Sequence, residues 1–305
     1  MRYIRLFMLI PVFGLCMLMF SSCNRCSREQ KIEEITVDIA DLAVDSSYMR
    51  IAHQVFYSLP TPIEISLLIR NLGVGYQGDL LNDPANASKY LTNHKMAINF
   101  GVYITDLTDA GLFIQTQTVL RYKTAIQQMA EGLGILSAID PGTMKKMEDN
   151  LNNREEMLEI ISDTYSSCTA YLNEDDRYFL TLAVFTGGWV EGMYIASSLV
   201  DEKQDTAKDK MEQLVINQKL TFAIIWQAMS ELKENPEVAA LMDEMSGLHR
   251  LFESLNLEQG KNQVSFSNED KATVLKSSVS GNITPEIFVQ IKDQIKTLRQ
   301  NFTQK

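Results

Sequence analysis

Residues 185–194, FTGGWVEGMY, set one acidic residue, Glu191, among glycines and aromatic residues inside a long apolar segment. In a helix, Gly187 and Gly188 precede Glu191 by four and three residues and share its face, and Gly192 adjoins it. Each interior glycine destabilises a helix by about 1 kcal/mol relative to alanine, so we expect compensation from a closely packed helix or a ligand. The glutamate is correspondingly either a structural residue, paired inside the fold or partly exposed, or a ligand-binding group.

The apolar segment around this stretch, residues 178–196, has the length and composition of a membrane-spanning helix. A charged residue at its centre and the amphipathic segments on either side favour a different interpretation. We therefore predict a buried core helix here, with a membrane span as the alternative.

A second segment resembles this one at a shift of 81 residues. Residues 102–115, VYITDLTDAGLFIQ, then lie over residues 183–196, AVFTGGWVEGMYIA, and Gly111 meets Gly192. The similarity predicts an internal duplication, although two unrelated apolar helices could agree this well by chance. The predicted repeats span about residues 84–132 and 165–214.

If the two helices are equivalent, we expect them to pack near a pseudo-two-fold axis through their glycines. The glycines predicted at close helix contacts are Gly111, Gly187, Gly188 and Gly192. Convergence of the helices would bring Asp106, Asp109 and Glu191 to one cleft, where carboxylates can bind a hard cation or transfer protons. Asp106 and Asp109 also fit a solvated helix face, and none of the three acids has metal-ligand spacing.

Prolines mark the helix starts. Five of the seven prolines follow Thr, Asp or Asn, which places a capping side chain before a residue that lacks an N–H. These pairs are Thr61/Pro62, Asp83/Pro84, Asp140/Pro141, Asn235/Pro236 and Thr284/Pro285. Helical periodicity follows each pair. Between residues 141 and 172 the apolar positions recur every three or four residues, which predicts a core position for Cys168.

The pattern as a whole predicts an all-α fold, either a multi-helix bundle or an irregular α-solenoid of long antiparallel helices. The predicted helices span about 33–58, 62–72, 84–113, 116–132, 141–173, 175–199, 205–233, 236–256 and 284–303. A small hairpin near 262–280 is the exception, because residues 260–281 are polar and rich in Ser and Asn.

Composition narrows the range of functions. Removal of a leader of 22 residues would take two arginines and no acid from the 28 basic and 39 acidic residues, leaving 26 against 39, a net charge of −13. Such an acidic chain is not expected to bind nucleic acid. The spacing of the histidines and cysteines suggests no metal site, and no nucleotide-binding or nucleophile motif is present, so we expect no cofactor and no catalytic residue.

The N-terminus carries a targeting signal. Arg2 and Arg5 precede an apolar run, which ends in Ser21, Ser22 and Cys23. This arrangement resembles the signal peptide and lipobox of bacterial lipoproteins, most closely the Bacteroidetes type. The resemblance covers about 25 residues and implies cleavage before Cys23, fatty acylation of that cysteine, including palmitate, and anchoring in a membrane. An ordinary signal peptide or an N-terminal membrane anchor is the alternative.

The resulting prediction is a signal peptide over residues 1–22, a lipidated tether over 23–32 and one helical domain over 33–305. In lipoproteins of this kind, an Asn after the acylated cysteine does not favour retention in the inner membrane. We therefore expect the cell outer membrane, with the face left open. The expected role is non-enzymatic binding or scaffolding, with an envelope protein or a small ligand as partner. The alternative is an envelope enzyme or cation-binding protein that uses Asp106, Asp109 and Glu191.

Overall fold

The described part of the chain begins within the second predicted helix. A computed structural model describes residues 64, 66–67, 70, 73, 75–175, 177–199, 205–258, 262–267, 272–277, 280–281 and 283–304. Cys23, the signal peptide, the tether and the predicted helix 33–58 lie outside the described residues. Within the next predicted helix, 62–72, the described residues Glu64, Ser66, Leu67 and Arg70 are helical.

The fold is an all-α bundle, as the sequence predicts. Its described α-helices are α1 Asn93–Leu112, α2 Thr116–Gly132, α3 Thr143–Asp149, α4 Arg154–Glu174, α5 Tyr178–Leu199, α6 Asp205–Glu231, α7 Pro236–Glu253 and α8 Pro285–Thr303. Short 3₁₀ helices occupy Gly78–Leu80, Pro84–Lys89 and Leu136–Ala138. All the described residues belong to one compact unit.

Two of the predicted caps begin α-helices as expected. The Asn235 side chain accepts hydrogen bonds from the backbone N–H groups of Glu237 and Val238, and α7 begins at Pro236. Thr284 Oγ1 accepts from the N–H of Ile287 and caps α8. In both cases the cap depends only on neighbouring residues, which is why the sequence predicts it.

Two other proline starts are wrong for an α-helix. Asp83 caps Ala85, but the segment that follows is the 3₁₀ helix Pro84–Lys89, and α1 begins later, after its own cap Thr92. The Asp140 carboxylate accepts from the N–H of Gly142 and closes a turn instead of a helix.

The predicted helix over 141–173 is two helices. It breaks after α3, and the Asn153 side chain then caps α4 by accepting from the N–H of Glu156. The break lies beside Arg154, which occupies the position between Leu151 and Leu158 where the recurrence of apolar residues would place another one. Cys168 is fully buried on α4, as predicted, and burial raises the pKa of its thiol to about 12.

The strands lie between α7 and α8. Strands β2 Asn262–Ser267 and β3 Ala272–Ser277 form an antiparallel hairpin in which Asn262 pairs with Ser277. A shorter antiparallel pair, β1 Leu257–Glu258 and β4 Ser280–Gly281, lies at its base. The hairpin therefore falls where the sequence places it, near 262–280.

The central element is α5, which is buried on all sides and packs against α1, α4, α6, α7 and α8. A helix that is apolar around its whole circumference belongs in a core or a membrane. Within the described residues it is the one helix long and apolar enough to cross a membrane, and most of it is buried in the bundle.

Helices α1 and α5 are in backbone contact. A Cβ placed on Gly101 would lie 1.9 Å from the carbonyl oxygen of Val184, and one placed on Gly187 would lie 2.0 Å from that of Ile98. Beside this contact, Thr105 Oγ1 donates a hydrogen bond to the Gly188 carbonyl at 3.2 Å. Both helices thus use glycine to bring their axes together, as expected, but the glycine that α1 uses is Gly101.

The two backbone contacts are reciprocal. Ile98 and Val184 are 86 residues apart, and so are Gly101 and Gly187. If the two members of each pair are exchanged, the contact of Gly101 with Val184 becomes the contact of Gly187 with Ile98. The local two-fold relation therefore has a shift of 86 residues, not the 81 that aligns Gly111 with Gly192.

Helices α1 and α5 run parallel, since Gly101 meets Val184, Thr105 bonds to Gly188 and Asp106 lies near Glu191, so these contacts advance along both helices. The reason lies in the connection, since α2, α3 and α4 give the chain the length to return to the same end of the bundle.

Candidate functional site

The carboxylate of Glu191 is fully buried and paired with Arg299 of α8. Arg299 donates from Nε to Oε2 at 3.0 Å and from Nη2 to Oε1 at 3.2 Å. Such a bidentate pair has two parallel charge-assisted hydrogen bonds and fixes the orientation of both groups. The guanidinium also lies 4.7 Å from the ring centroid of Tyr194 and donates to the carbonyl of Leu80. Glu191 is therefore part of the contact that docks α8.

Asp106 of α1 lies beside this ion pair and has no exposed surface. Its Oδ2 accepts a hydrogen bond from the backbone N–H of Asn82 at 3.0 Å, whereas Oδ1 receives none within the described residues. Burial, and then the charge of Glu191, raise the pKa of Asp106 well above its ordinary value, against the opposing effect of Arg299. Burial also raises the pKa of Glu191, which Arg299 lowers. We call Asp106, Glu191 and Arg299 the acid–arginine cluster.

Asp109 lies one helical turn beyond Asp106 and is almost fully buried. Its Oδ1 has no hydrogen-bond partner among the described residues. Burial raises the pKa of this carboxyl to about 6. The structure thus joins Asp106 to Glu191 as convergence of the two helices would predict, but it does so in the core, and Asp109 takes no part in the ion pair with Arg299.

A polar network extends from the cluster into the segment before α1. Asn82 donates from Nδ2 to Tyr90 Oη, and its carbonyl accepts from Tyr122 Oη of α2. Tyr103 Oη of α1 donates to the carbonyl of Asp83. These buried bonds hold the segment across α1 and α2, and they place the Asn82 N–H against Asp106.

Side chains of this network and of α1 cap the C-terminal end of α8. The last three carbonyls of this helix each accept a hydrogen bond from a different side chain: Lys95 Nζ to Asn301 at 3.0 Å, Asn99 Nδ2 to Phe302 at 2.8 Å and Tyr90 Oη to Thr303 at 3.2 Å. Carbonyls in the last turn have no partner inside their own helix. Tertiary contacts therefore supply the cap, and Lys95 and Asn99, which share a stripe with Asp106, have a structural use.

A cleft of about 250 Å³ lies where the N-terminal ends of α1 and α7 meet the C-terminal end of α8. Ile98, Leu241 and Phe302 form part of its apolar wall, and Glu237 and Glu244 are among its polar residues. Burial lowers the pKa of His94, another lining residue, so this imidazole is neutral at pH 7.

The remaining predicted glycines have different surroundings. A Cβ on Gly111 would meet the side chain of Met157 in α4 at 3.0 Å, so this glycine serves the contact between α1 and α4. A Cβ on Gly188 would lie 3.2 Å from Thr105 Oγ1 and 3.3 Å from the Gly101 carbonyl oxygen, and Gly192 is buried in α5.

Comparisons with protein families, with curated proteins and with solved structures found no match to this chain. Among the residues that the structure describes, no group of three or more His, Cys, Asp or Glu side chains could hold a metal ion. The chemistry of the chain must therefore be argued from its own residues.

The sequence analysis did not identify Arg299, the partner of Glu191, or Gly101, which lies against Gly188. Arg299 follows Leu298 in the apolar seam of α8, whose buried members are Phe288, Ile291, Ile295, Leu298 and Phe302. A basic residue beside such a seam is a signal for a buried acid, although it does not say which one.

Asp109 gives a testable pH dependence. Because its folded-state pKa, about 6, exceeds the ordinary 3.8, its contribution to stability is fully present below pH 4 and is lost as the pH rises to about 6. We expect Asp109→Asn to remove this loss, so that the variant gains stability over the wild type between pH 4 and 6 by up to roughly 3 kcal/mol.

Denaturant unfolding of both proteins from pH 4 to 8 measures this difference. Asp243→Asn, at an exposed position of α7, is the matched control and should leave the pH profile unchanged. Parallel profiles of Asp109→Asn and the wild type would contradict the prediction.

Proposed function

We propose that this chain is a lipid-anchored helical protein of the bacterial cell envelope and acts as a non-enzymatic binding or scaffold module. The observation that supports a non-enzymatic role is the state of the acid–arginine cluster. Glu191 has no exposed surface, and both of its oxygens accept from Arg299. A carboxylate in this position stabilises the docking of α8.

The alternative is an enzyme or cation-binding protein that uses Asp106, Asp109 and Glu191. It requires a substrate or ion to reach the carboxyl groups, but Asp106 and Glu191 are fully enclosed and Asp109 is 2% exposed. A general acid or base must lie within hydrogen-bond reach of the group that it serves. The burial of these acids favours the binding or scaffold role.

The N-terminal sequence supports the anchor. Arg2 and Arg5, the apolar run and the small residues before Cys23 are the features that a lipoprotein signal peptidase recognises. Acyl chains then hold the protein at the membrane, since each buried CH₂ contributes about 0.8 kcal/mol. The outer membrane is the proposed location, and an envelope protein or small ligand is the proposed partner.

Cys23→Ala tests the anchor. In cells fed a labelled fatty acid, the wild type should incorporate label and fractionate with membranes, whereas the variant should remain an unprocessed precursor without label. Cys16→Ala and Cys26→Ala are matched controls, because they change cysteines on either side of the proposed acylation site. Full labelling of Cys23→Ala would contradict the assignment.

Asp109→Asn separates the two roles, because Asp109 has an oxygen without a protein partner. In cells that carry this variant as the sole copy, a binding or scaffold module should keep the wild-type pattern of cross-linked envelope partners and the wild-type phenotype. The acidic-site enzyme would be favoured if Asp109→Asn were folded, acylated and cross-linked to the same envelope partners, but cells carrying it lost the wild-type phenotype.

A further inference from the structure

The acid–arginine cluster contains two carboxyl groups and one guanidinium, all three largely or fully buried. Glu191 uses both oxygens to accept from Arg299, and the second Nη2 bond of Arg299 goes to the carbonyl of Leu80. The donor that reaches Asp106 within the described residues is the N–H of Asn82, at Oδ2. With both acids ionised, one negative charge would be buried without a partner, which is strongly unfavourable.

Asp106 and Glu191 are close neighbours in the core, and after burial the charge of Glu191 is the largest influence on the pKa of Asp106. Two carboxylates are both acceptors, so they can form a hydrogen bond with each other only when one of them carries a proton. Glu191 already accepts two bonds from a cation, whereas Oδ1 of Asp106 lacks a donor. The proton therefore belongs on Asp106, whose O–H can then donate to Glu191 and give the unpartnered Oδ1 a role.

We propose that Asp106 and Glu191 form a buried proton-binding site that couples the docking of α8 to pH. With the proton bound, the cluster is neutral and α8 is held. When the proton leaves to bulk base, Asp106 becomes a carboxylate, the hydrogen bond to Glu191 is replaced by repulsion, and one arginine faces two negative charges.

The acid–arginine cluster joins three helices and the segment that precedes α1. Asp106 belongs to α1, Glu191 to α5 and Arg299 to α8, and the backbone of Leu80 and Asn82 joins the preceding segment to it. α8 is also the element whose dissociation would expose the seam of Phe288, Ile291, Ile295, Leu298 and Phe302. Loss of the proton would therefore favour a state in which α8 separates from α1 and α5 and presents an apolar helix face.

Other groups that titrate interact with the cluster from α1, α2, α5 and the segment before α1. They are Tyr103 on α1, Tyr76 and Tyr90 on the preceding segment, Tyr122 on α2 and Tyr194 on α5. Burial raises the pKa of Tyr76, Tyr90, Tyr103 and Tyr122, so these phenols stay neutral over the range concerned. Asp109 titrates near pH 6 and is controlled by its own variant.

Asp106→Asn tests the proposal, because the amide copies the protonated acid in shape and can donate to Glu191 at every pH. Since the folded-state pKa of Asp106 lies above its unfolded value, the contribution of Asp106 to stability is fully present below pH 4 and is lost as the pH rises through the folded-state pKa. We expect the wild-type unfolding constant to rise up to tenfold per pH unit relative to Asp106→Asn. This divergence should continue above pH 6, where the effect of Asp109→Asn is complete.

Amide hydrogen exchange reports on α8 directly. Exchange in α8 should accelerate relative to exchange in α7 as the pH rises in the wild type, and it should keep a constant ratio in Asp106→Asn. Using α7 as the internal reference removes the intrinsic pH dependence of exchange. A constant ratio in the wild type up to pH 9 would overturn the coupling to α8.

A measurement on the wild type alone covers the case in which Asp106→Asn does not fold. The carboxyl carbon of Asp106, observed by NMR, should show a neutral acid at pH 7. An ionised Asp106 at pH 7 would overturn the proton site.

Discussion

Gly101→Ala is expected to destabilise the bundle strongly, although it adds a single methyl group. The new Cβ would lie 1.9 Å from the carbonyl oxygen of Val184, and the nearest atoms are backbone atoms of α5 that cannot rotate away. Relief requires α1 and α5 to move apart along a buried contact. Overpacking a core typically costs 1–3 kcal/mol, and we expect roughly 3 kcal/mol or more here because the obstacle is backbone.

Gly187→Ala should behave in the same way, since its Cβ would lie 2.0 Å from the carbonyl oxygen of Ile98. Gly247→Ala is the matched control, also within a helix. Its Cβ would meet the end of the flexible Gln294 side chain, so the gain of about 1 kcal/mol in helix propensity should dominate. Thermal and denaturant unfolding measure all three variants. Wild-type stability of Gly101→Ala would show that the two helices are not in backbone contact.

Glu191→Gln is the second variant with a large expected effect. The amide keeps the volume of the side chain but leaves the charge of Arg299 without its carboxylate in a buried site. Removing one partner of a buried ion pair typically costs about 3–5 kcal/mol. We expect a loss in this range for Glu191→Gln and a comparable loss for Arg299→Met at neutral pH.

The double variant Glu191→Gln with Arg299→Met should recover much of the loss, because no uncompensated charge remains and the amide can still bond to Asp106. A double-mutant cycle by denaturant unfolding gives the coupling energy. The exposed pair of Arg121 and Asp83, at 2.8 Å, is the control, and Arg121→Met should cost less than about 1 kcal/mol. Additive losses in the double variant would mean that the bond between Glu191 and Arg299 does not stabilise the fold.

The pseudo-symmetry of α1 and α5 shows how sequence similarity can be close and still misaligned. Apolar helices tolerate many registers, because Ile, Val, Phe and Tyr substitute for each other in an alignment. The backbone contact accepts one register, in which Gly101 corresponds to Gly187. Steric exclusion at the closest point of approach therefore decides an alignment that hydrophobic similarity leaves open.

The sequence by itself determined the features that depend on neighbouring residues. The caps of α7 and α8 at Asn235 and Thr284, the core position of Cys168 and the wholly buried helix around Glu191 follow from local hydrogen bonding and apolar periodicity. The break before α4 had a local signal as well, since Asn153 is a capping residue, but the continuing periodicity obscured it.

The tertiary structure alone decided which distant residues meet. Glu191 pairs with Arg299, which is 108 residues away in the chain, and Asp106 accepts from Asn82, which is 24 residues away. Gly101 of α1 packs against α5, and three helices separate the two in the chain. A buried carboxyl group takes its charge state from the cations and donors that folding brings to it. Sequence reasoning could therefore select Glu191 and Asp106, but only their packing against α8 shows that they hold a helix in place.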